Sequence, residues 1–312
     1  MKKLSVLVSL TTDDNDYQVE QAAAAEEAAR RLGVNVRVLY AANDPIKQSQ
    51  QLLEAVQAAA DKRPDAIVFE PVGGTALPQV ARAAVAAGMG WVVLNRESEN
   101  LKDFRRTAKA PVFSITSDHL EIGRMQGQQL GALLPNGGTV LYIQGPSDNS
   151  AAKQRTQGMQ QTKPENVKIV LLKGQWTEES AYKSVKSWMK LSTSQKLPIE
   201  VVCAQDDSMA IGARKALQEQ ADEAVRERWL ALPFTGCDGL PKTGQEFVRR
   251  GLLAATVVVP PNTTLALEVL VKAAGQGTQP PEVTLTVPTS LPRIDELASK
   301  RTGARTRELV TR

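Results

Sequence analysis

The stretch AIVFEPVGGTALPQVARAAVAAGMGWVVLNR, residues 66–96, decides the fold. Ala66–Phe69 is an unbroken apolar run that stops at Glu70-Pro71. Trp91–Leu94 is a second such run, stopping at Asn95-Arg96. Neither run alternates apolar with polar, which is the pattern of a strand buried on both faces. Between them Thr75–Ala87 reads as a helix, and Gly88 supplies the left-handed stop. A strand, a helix and a strand in this order make a parallel crossover unit with helices covering the sheet.

The same rhythm extends in both directions. Upstream lie strand Leu4–Leu10, helix Gln18–Leu32 ending at Gly33, strand Val34–Tyr40, and helix Pro45–Asp61 with Pro in its first turn. Downstream, the segment Arg96–Ser117 reads as a loop-like joint that ends in a short strand, Val112–Ile115. Helix Leu120–Leu134 follows it. Strands are then expected at Thr139–Ile143, Lys168–Leu172, Glu200–Cys203 and Ala231–Thr235. Helices are expected near Ala151–Gln161, Ser180–Lys190, Ala210–Gln218 and Gln245–Arg249. Strand Leu253–Val259, Pro260-Pro261, helix Thr264–Ala274 and an extended piece at Val283–Val287 close the pattern. The chain therefore reads as α/β, with two successive doubly wound parallel sheets and a crevice outside the carboxyl ends of their strands.

Bulk properties agree with this reading. The 312 residues are enough for two domains of ordinary size. Hydrophobic residues at 42% and charged residues at 23% are ordinary for a globular chain and argue against disorder. Part of the net charge of +4 comes from the end of the chain, where Lys300, Arg301, Arg305, Arg307 and Arg312 face Glu308. That tail reads as a solvated end, and no nucleic-acid-binding motif accompanies it. Cys203 and Cys237 sit in apolar runs and read as buried thiols. The single histidine, His119, reads as a surface or first-turn residue of a helix, and no His/Cys cluster suggests a metal. No cofactor is expected. The apolar start stops at Leu10 and acids follow, so Leu4–Leu10 is a strand and not a signal core. The chain is then either cytoplasmic, or a mature periplasmic or extracellular form whose signal has been removed.

Function is legible where the strands end. After the first strand come Asp13, Asp14, Asn15, Asp16 and Tyr17; after the third, Glu70; after the fourth, Asn95 and Arg96. In the second half Asn149 and Arg155 follow the first strand, Gln175 and Trp176 the second, Gln205, Asp206 and Asp207 the third, and Asp238 the fourth. Carboxylates, amides and guanidinium groups bind adjacent hydroxyls in pairs, and an aromatic ring offers a flat face to sugar C–H groups. The mixture suits a polyhydroxylated ligand.

In order and spacing these residues resemble the type I periplasmic sugar-binding proteins, the ribose- and glucose/galactose-binding group. Their lobes are shared with the effector domains of LacI-type repressors. The resemblance runs from about Leu4 to Leu297. It is most specific at Ser150–Arg155, at Ala204–Ala213, at Gly236-Cys237-Asp238-Gly239, and at Thr116-Ser117-Asp118 with Gly123 and Gly127. It implies two lobes joined by a three-strand hinge, with the ligand in the cleft between them. The lobes expected are 1–116 with 260–287 and 117–259 with 288–298, followed by the basic tail 299–312. The chain would cross between lobes near Ser117, Val259-Pro260 and Val287-Pro288. The ligand set implied or read at the strand ends is Asp14, Asn15, Tyr17, Glu70, Asn95, Arg96, Asn149, Arg155, Trp176, Asp206 and Asp238. The resemblance further implies a non-catalytic solute-binding protein that closes on a monosaccharide or related polyol and delivers it to the membrane permease of an ABC transporter. A ligand-sensing regulatory protein without a DNA-binding headpiece is the alternative.

The sequence also departs from that pattern. Asp206 stands where sugar binders commonly have Asn, Glu70 where the ribose type has Asn, and Val259 where an amide is expected. The extra acids leave two outcomes open: pairing with Arg96 and Arg155, or a ligand carrying an amine. A dinucleotide-binding enzyme is disfavoured, because the turn after the first strand is Thr11-Thr12-Asp13-Asp14, which repels a pyrophosphate. A cysteine hydrolase is disfavoured because neither thiol has a neighbouring base.

Overall fold

In this computed structural model, residues 3–73, 77–96, 100–192, 194 and 197–299 are described. The chain divides into two compact units, one of residues 1–117 and 260–286, the other of 118–259 and 287–312. It passes from one unit to the other three times, after Ser117, Val259 and Thr286. Of the tail expected at 299–312, residues 300–312 lie outside the described residues.

The first unit holds a six-stranded parallel sheet. Its strands are β1 (Ser5–Leu10), β2 (Asn35–Tyr40), β3 (Ala66–Phe69), β4 (Gly90–Leu94), β5 (Val112–Ser117) and β11 (Val283–Thr286), ordered β11-β5-β4-β3-β1-β2. Burial follows position in the sheet. Every residue of β3, β4 and β5 is buried, whereas edge strands β2 and β11 have no fully buried residue. The period-two geometry of a strand splits the core in two. Leu7, Ile67, Phe69, Trp91 and Val93 face helices α2 (Pro45–Gln57), α3 (Pro78–Ala86) and α4 (Leu101–Thr107). Val6, Val8, Leu10, Val68, Val92 and Ile115 face α1 (Asp16–Leu32) and α11 (Asn262–Gln276).

The second unit repeats the plan on a smaller scale. Strands β6 (Gly138–Gln144), β7 (Val167–Lys173), β8 (Ile199–Ala204) and β9 (Phe234–Thr235) form a parallel sheet ordered β7-β6-β8-β9. Leu141, Ile143, Val202 and Ala204 pack on α7 (Glu178–Met189), α8 (Asp207–Gln218) and α9 (Glu223–Leu230). Val140, Tyr142, Val201 and Cys203 pack on α5 (His119–Leu133) and α6 (Ser150–Thr162). Helix α10 (Gly244–Arg249) leads to β10 (Thr256–Val258), which pairs antiparallel with β12 (Thr289–Leu291). Both cysteines are free and buried, as expected.

The doubly wound α/β class stands, with local corrections. The segment Arg96–Ser117 is not a loop-like joint. It contains α4 and β5, both inside the first unit. The expected strand Ala231–Thr235 shrinks to Phe234–Thr235, because Ala231 caps α9, a helix absent from the sequence reading.

Candidate functional site

In each sheet one point reverses the strand order. Strand β1 lies between β2 and β3, and β6 lies between β7 and β8. Loops leaving neighbouring strands at such a point diverge to opposite faces and open a crevice at the carboxyl ends. Of the candidate residues, Glu70, Asn95 and Arg96 meet in the first unit, and Arg155, Trp176 and Asp238 in the second.

In the first unit the loop after β1 enters α1 through Asn15, whose side chain accepts from Gln18 N at 3.2 Å. Gln18 Nε2 donates to Glu70 Oε2 at 2.9 Å, tying the β1 loop to the end of β3. The other Glu70 oxygen takes Arg96 Nη2 at 3.0 Å and Asn95 Nδ2 at 3.4 Å. Glu70 is 1% exposed, and its charge is thus matched inside the unit by Arg96. Pairing, one of the two outcomes left open for the extra acids, holds for Glu70. Asn95 Oδ1 in turn accepts from Asn262 Nδ2 at 3.3 Å, and Asn262 Oδ1 accepts from Thr286 Oγ1 at 2.9 Å. Tyr17 is buried, with its hydroxyl donating to Pro260 O at 3.2 Å, while Asp14 is exposed in the loop.

In the second unit Arg155 is the centre. Its guanidinium donates through Nη1 to the Gln205 carbonyl and lies 3.8 Å from Asp238 Oδ1. It stacks 5.4 Å from the centroid of the Trp176 ring. Its Nε donates to His119 Nδ1 at 3.4 Å. His119 is therefore buried, at 3% exposure, and not a surface residue; the start of α5 is held against α6. That contact depends on close helix packing. A Cβ on Gly123 would fall 2.0 Å from Arg155 O, and one on Gly158 would fall 2.0 Å from Leu120 O. Trp176 is half-buried, with its ring so close to Gly145 that a Cβ there would lie 2.3 Å away. Asn149 caps α6, accepting from Ala151 N at 2.9 Å, and Asp206 caps α8, accepting from Met209 N at 2.6 Å. A side-chain oxygen in each is thereby directed at its helix start.

The adjacent acids Asp206 and Asp207 are placed differently: Asp206 caps α8, and Asp207 accepts from Thr256 and Gly239. Burial pushes the Asp207 carboxyl up to about 8, against hydrogen bonds from Thr256 and Gly239 that pull it down. Burial likewise raises the Cys203 thiol to about 12 and the Cys237 thiol well above its ordinary range. Protonated thiols are poor nucleophiles and poor metal ligands. Among the described residues no group of His, Cys, Asp and Glu could hold a metal ion.

Backbone strain marks the same places. Six non-glycine residues among those described have positive φ, and three are candidates: Asn95 at 58°, Trp176 at 62° and Asp238 at 99°. Residues held there store strain that persists where the surroundings over-determine it, as they do at binding sites.

Some partners lie outside the ligand set read from the sequence, including Gln205, which was named at its strand end only. Gln18 and Asn262 tie the first set together, as described. Gln205 ties the second: its Oε1 accepts from Gly145 N at 2.9 Å, and its Nε2 donates to the Tyr142 hydroxyl at 2.8 Å. Val259, where an amide was expected, is buried at 1% exposure.

Residues 6–278 match the family model described as a periplasmic binding protein domain. The chain is similar to the ribose import binding protein of Escherichia coli strain K12. The two are 28% identical over 262 residues, covering 84% of this chain and 81% of that protein. It is similar also to the xylitol-binding protein of Mycolicibacterium smegmatis, at 27% identity over 258 residues, 79% of this chain and 67% of that one. Among solved structures, an ABC transporter periplasmic solute binding protein from Actinobacillus succinogenes 130z with bound D-allose has a TM-score of 0.79. It is 21% identical and covered in full, against 95% of this chain. At that identity the likeness speaks for the fold.

Proposed function

The chain belongs to the periplasmic binding protein domain family, and we propose that it is a solute-binding protein that captures a monosaccharide or related polyol without catalysing a reaction. One observation carries the proposal. At the switch point of the second unit a guanidinium, a carboxylate and a half-buried indole stand together as Arg155, Asp238 and Trp176. The charged pair offers donors and acceptors to neighbouring hydroxyls, and the ring offers an apolar face. The first unit presents Asn15, Tyr17, Asn95 and Arg96 at its own switch point, with Glu70 behind them. With Glu70 matched to Arg96, and Asp238 beside Arg155, a neutral ligand leaves neither pair broken.

Hinge closure is the proposed mode of capture, with bending at the three passages of the chain after Ser117, Val259 and Thr286. The proposed partner is the membrane permease of an ABC transporter, and the proposed location is outside the cytoplasmic membrane. The names of the relatives support transport over regulation, since the ribose relative is an import binding protein.

A thermal-shift screen with D-ribose, D-allose, xylitol, myo-inositol and D-glucosamine tests this. A ligand at a hundred times its dissociation constant adds about 2.7 kcal/mol, or roughly 5–10 °C for a domain of this size. A shift of that size with a neutral sugar or polyol is expected. A shift with an amine alone, or with none of these compounds, overturns the proposal.

A further inference from the structure

We propose that Asp207, itself no ligand contact, is the positioning residue that sets the direction of the Asp238 side chain; the inference rests on the reading of Asp238 as a ligand-binding residue. Asp207 is 4% exposed at the first position of α8. Its Oδ2 accepts from Gly239 N at 2.7 Å, its Oδ1 accepts from Thr256 Oγ1 at 2.7 Å, and its own amide donates to Cys237 O at 2.6 Å. Two of these bonds bracket Asp238 in sequence, one at Cys237 and one at Gly239, and the third ties the carboxylate to Thr256.

The peptide planes explain why this matters. The direction of a side chain from its Cα is fixed by the planes before and after it. The plane before Asp238 is held by its amide donating to Val257 O at 2.9 Å. The plane after it is held at both ends: Asp238 O accepts from Val259 N at 2.9 Å, and Gly239 N donates to Asp207. Asp207 supplies a side-chain bond to the second of these planes, at Gly239 N. It is needed because Asp238 sits at φ 99°, a conformation that relaxes unless its neighbours hold it.

The surroundings are shaped for this carboxylate. A Cβ on Gly236 would fall 2.2 Å from Asp207 Oδ1, and one on Gly244 would fall 2.0 Å from Oδ2. Glycine at both positions lets the backbone close around the group. The clamp also tolerates a proton. Gly239 N needs an acceptor, and the bond to Thr256 can run in either direction, because a hydroxyl both donates and accepts. Asn fits the same demands, with its carbonyl toward Gly239 and its amide toward Thr256.

The test pairs Asp207→Asn with Asp207→Ala and reads Gly239 amide exchange by NMR in the sugar-free protein, then D-ribose and D-allose affinity by calorimetry. Asp207→Ala is expected to exchange at Gly239 at least about tenfold faster and to bind at least about tenfold more weakly, with Asp207→Asn within threefold of wild type in both. Unchanged exchange in Asp207→Ala overturns the clamp. So does faster exchange with unchanged affinity, and so does an Asn variant that behaves like Ala. If the Ala variant does not fold, Thr256→Val decides: exchange about threefold faster supports the clamp and unchanged exchange overturns it. Failure of the wild type to bind either sugar counts against the ligand reading alone, since the exchange measurement uses no sugar.

Discussion

Replacing Arg155 by Met removes the charge and the fork but keeps most of the length and apolar volume. The structure sets the size of the effect. Arg155 is 5% exposed, so its loss leaves the Asp238 carboxylate buried beside it without that partner. Breaking a buried pair from one side costs about 3–5 kcal/mol. The separation of 3.8 Å and the 12% exposure of the Asp238 side chain favour the lower end, about 3 kcal/mol. Loss of the stacking on Trp176 adds roughly 1 kcal/mol. At about 2–4 °C per kcal/mol, the melting midpoint should fall by roughly 8–16 °C. In the double variant with Asp238→Asn the stranded charge is gone, and about 1–2 kcal/mol should return. Sugar affinity should fall at least about a hundredfold, because two charge-assisted bonds at roughly 1.5–3 kcal/mol each disappear. Calorimetric melting and titration of the wild type, both single variants and the double variant make the cycle. An Arg155→Met protein that binds within threefold of wild type would refute the assignment, and a double variant no more stable than the additive sum would refute the coupling.

Glu70→Gln should lower the urea midpoint by the equivalent of about 3 kcal/mol, because the largely enclosed Arg96 loses its counter-charge, and an unchanged midpoint would contradict the pairing. Trp176→Ala should weaken sugar binding by about 1–3 kcal/mol in a titration, with an effect near zero meaning that the ring only packs on Gly145. Gly158→Ala should destabilise the second unit by about 1–3 kcal/mol and weaken binding together, because the new methyl meets the Leu120 carbonyl and pushes apart the helices that carry His119 and Arg155. The Asp207 carboxyl is raised to about 8 in the folded chain from its ordinary 3.8. The folded state therefore keeps a proton that the unfolded state has lost, and the group's contribution to stability, full below about pH 4, is lost as pH rises toward 8. Relative to wild type, Asp207→Asn should gain stability over that range by about 1 kcal/mol or more, and a constant difference in denaturation midpoints would contradict the shift.

What the sequence revealed follows from which signals are local. The central strands are unbroken apolar runs, so β3 and β4 were legible at once from residues 66–96. Helix α4 was missed because only Leu101 and Phe104 of its seven residues are buried, too few to show a period. Helix α9 buries only Trp229. The strand ends were legible as polar residues in the right loops, but their partners were not. The bond from Gln18 to Glu70 spans 52 positions and that from Asn262 to Asn95 spans 167, and no spacing rule foretells either. The contrast between Asp206 and Asp207 was invisible for a similar reason. The first caps a helix, while the second is enclosed by Gly236 and Gly244, which lie about 30 residues further along. His119 reads as a surface or first-turn residue; it is the first residue of α5, and it is buried because α5 and α6 meet through glycines.

Isothermal titration of the purified chain with D-ribose, D-allose, xylitol and myo-inositol tests the central claim most directly. The account predicts saturable one-to-one binding of at least one of them, with a dissociation constant near micromolar or tighter, about 8 kcal/mol, and loss of that binding in Arg155→Met. Binding of none of the four, or binding that survives Arg155→Met unchanged, would contradict it.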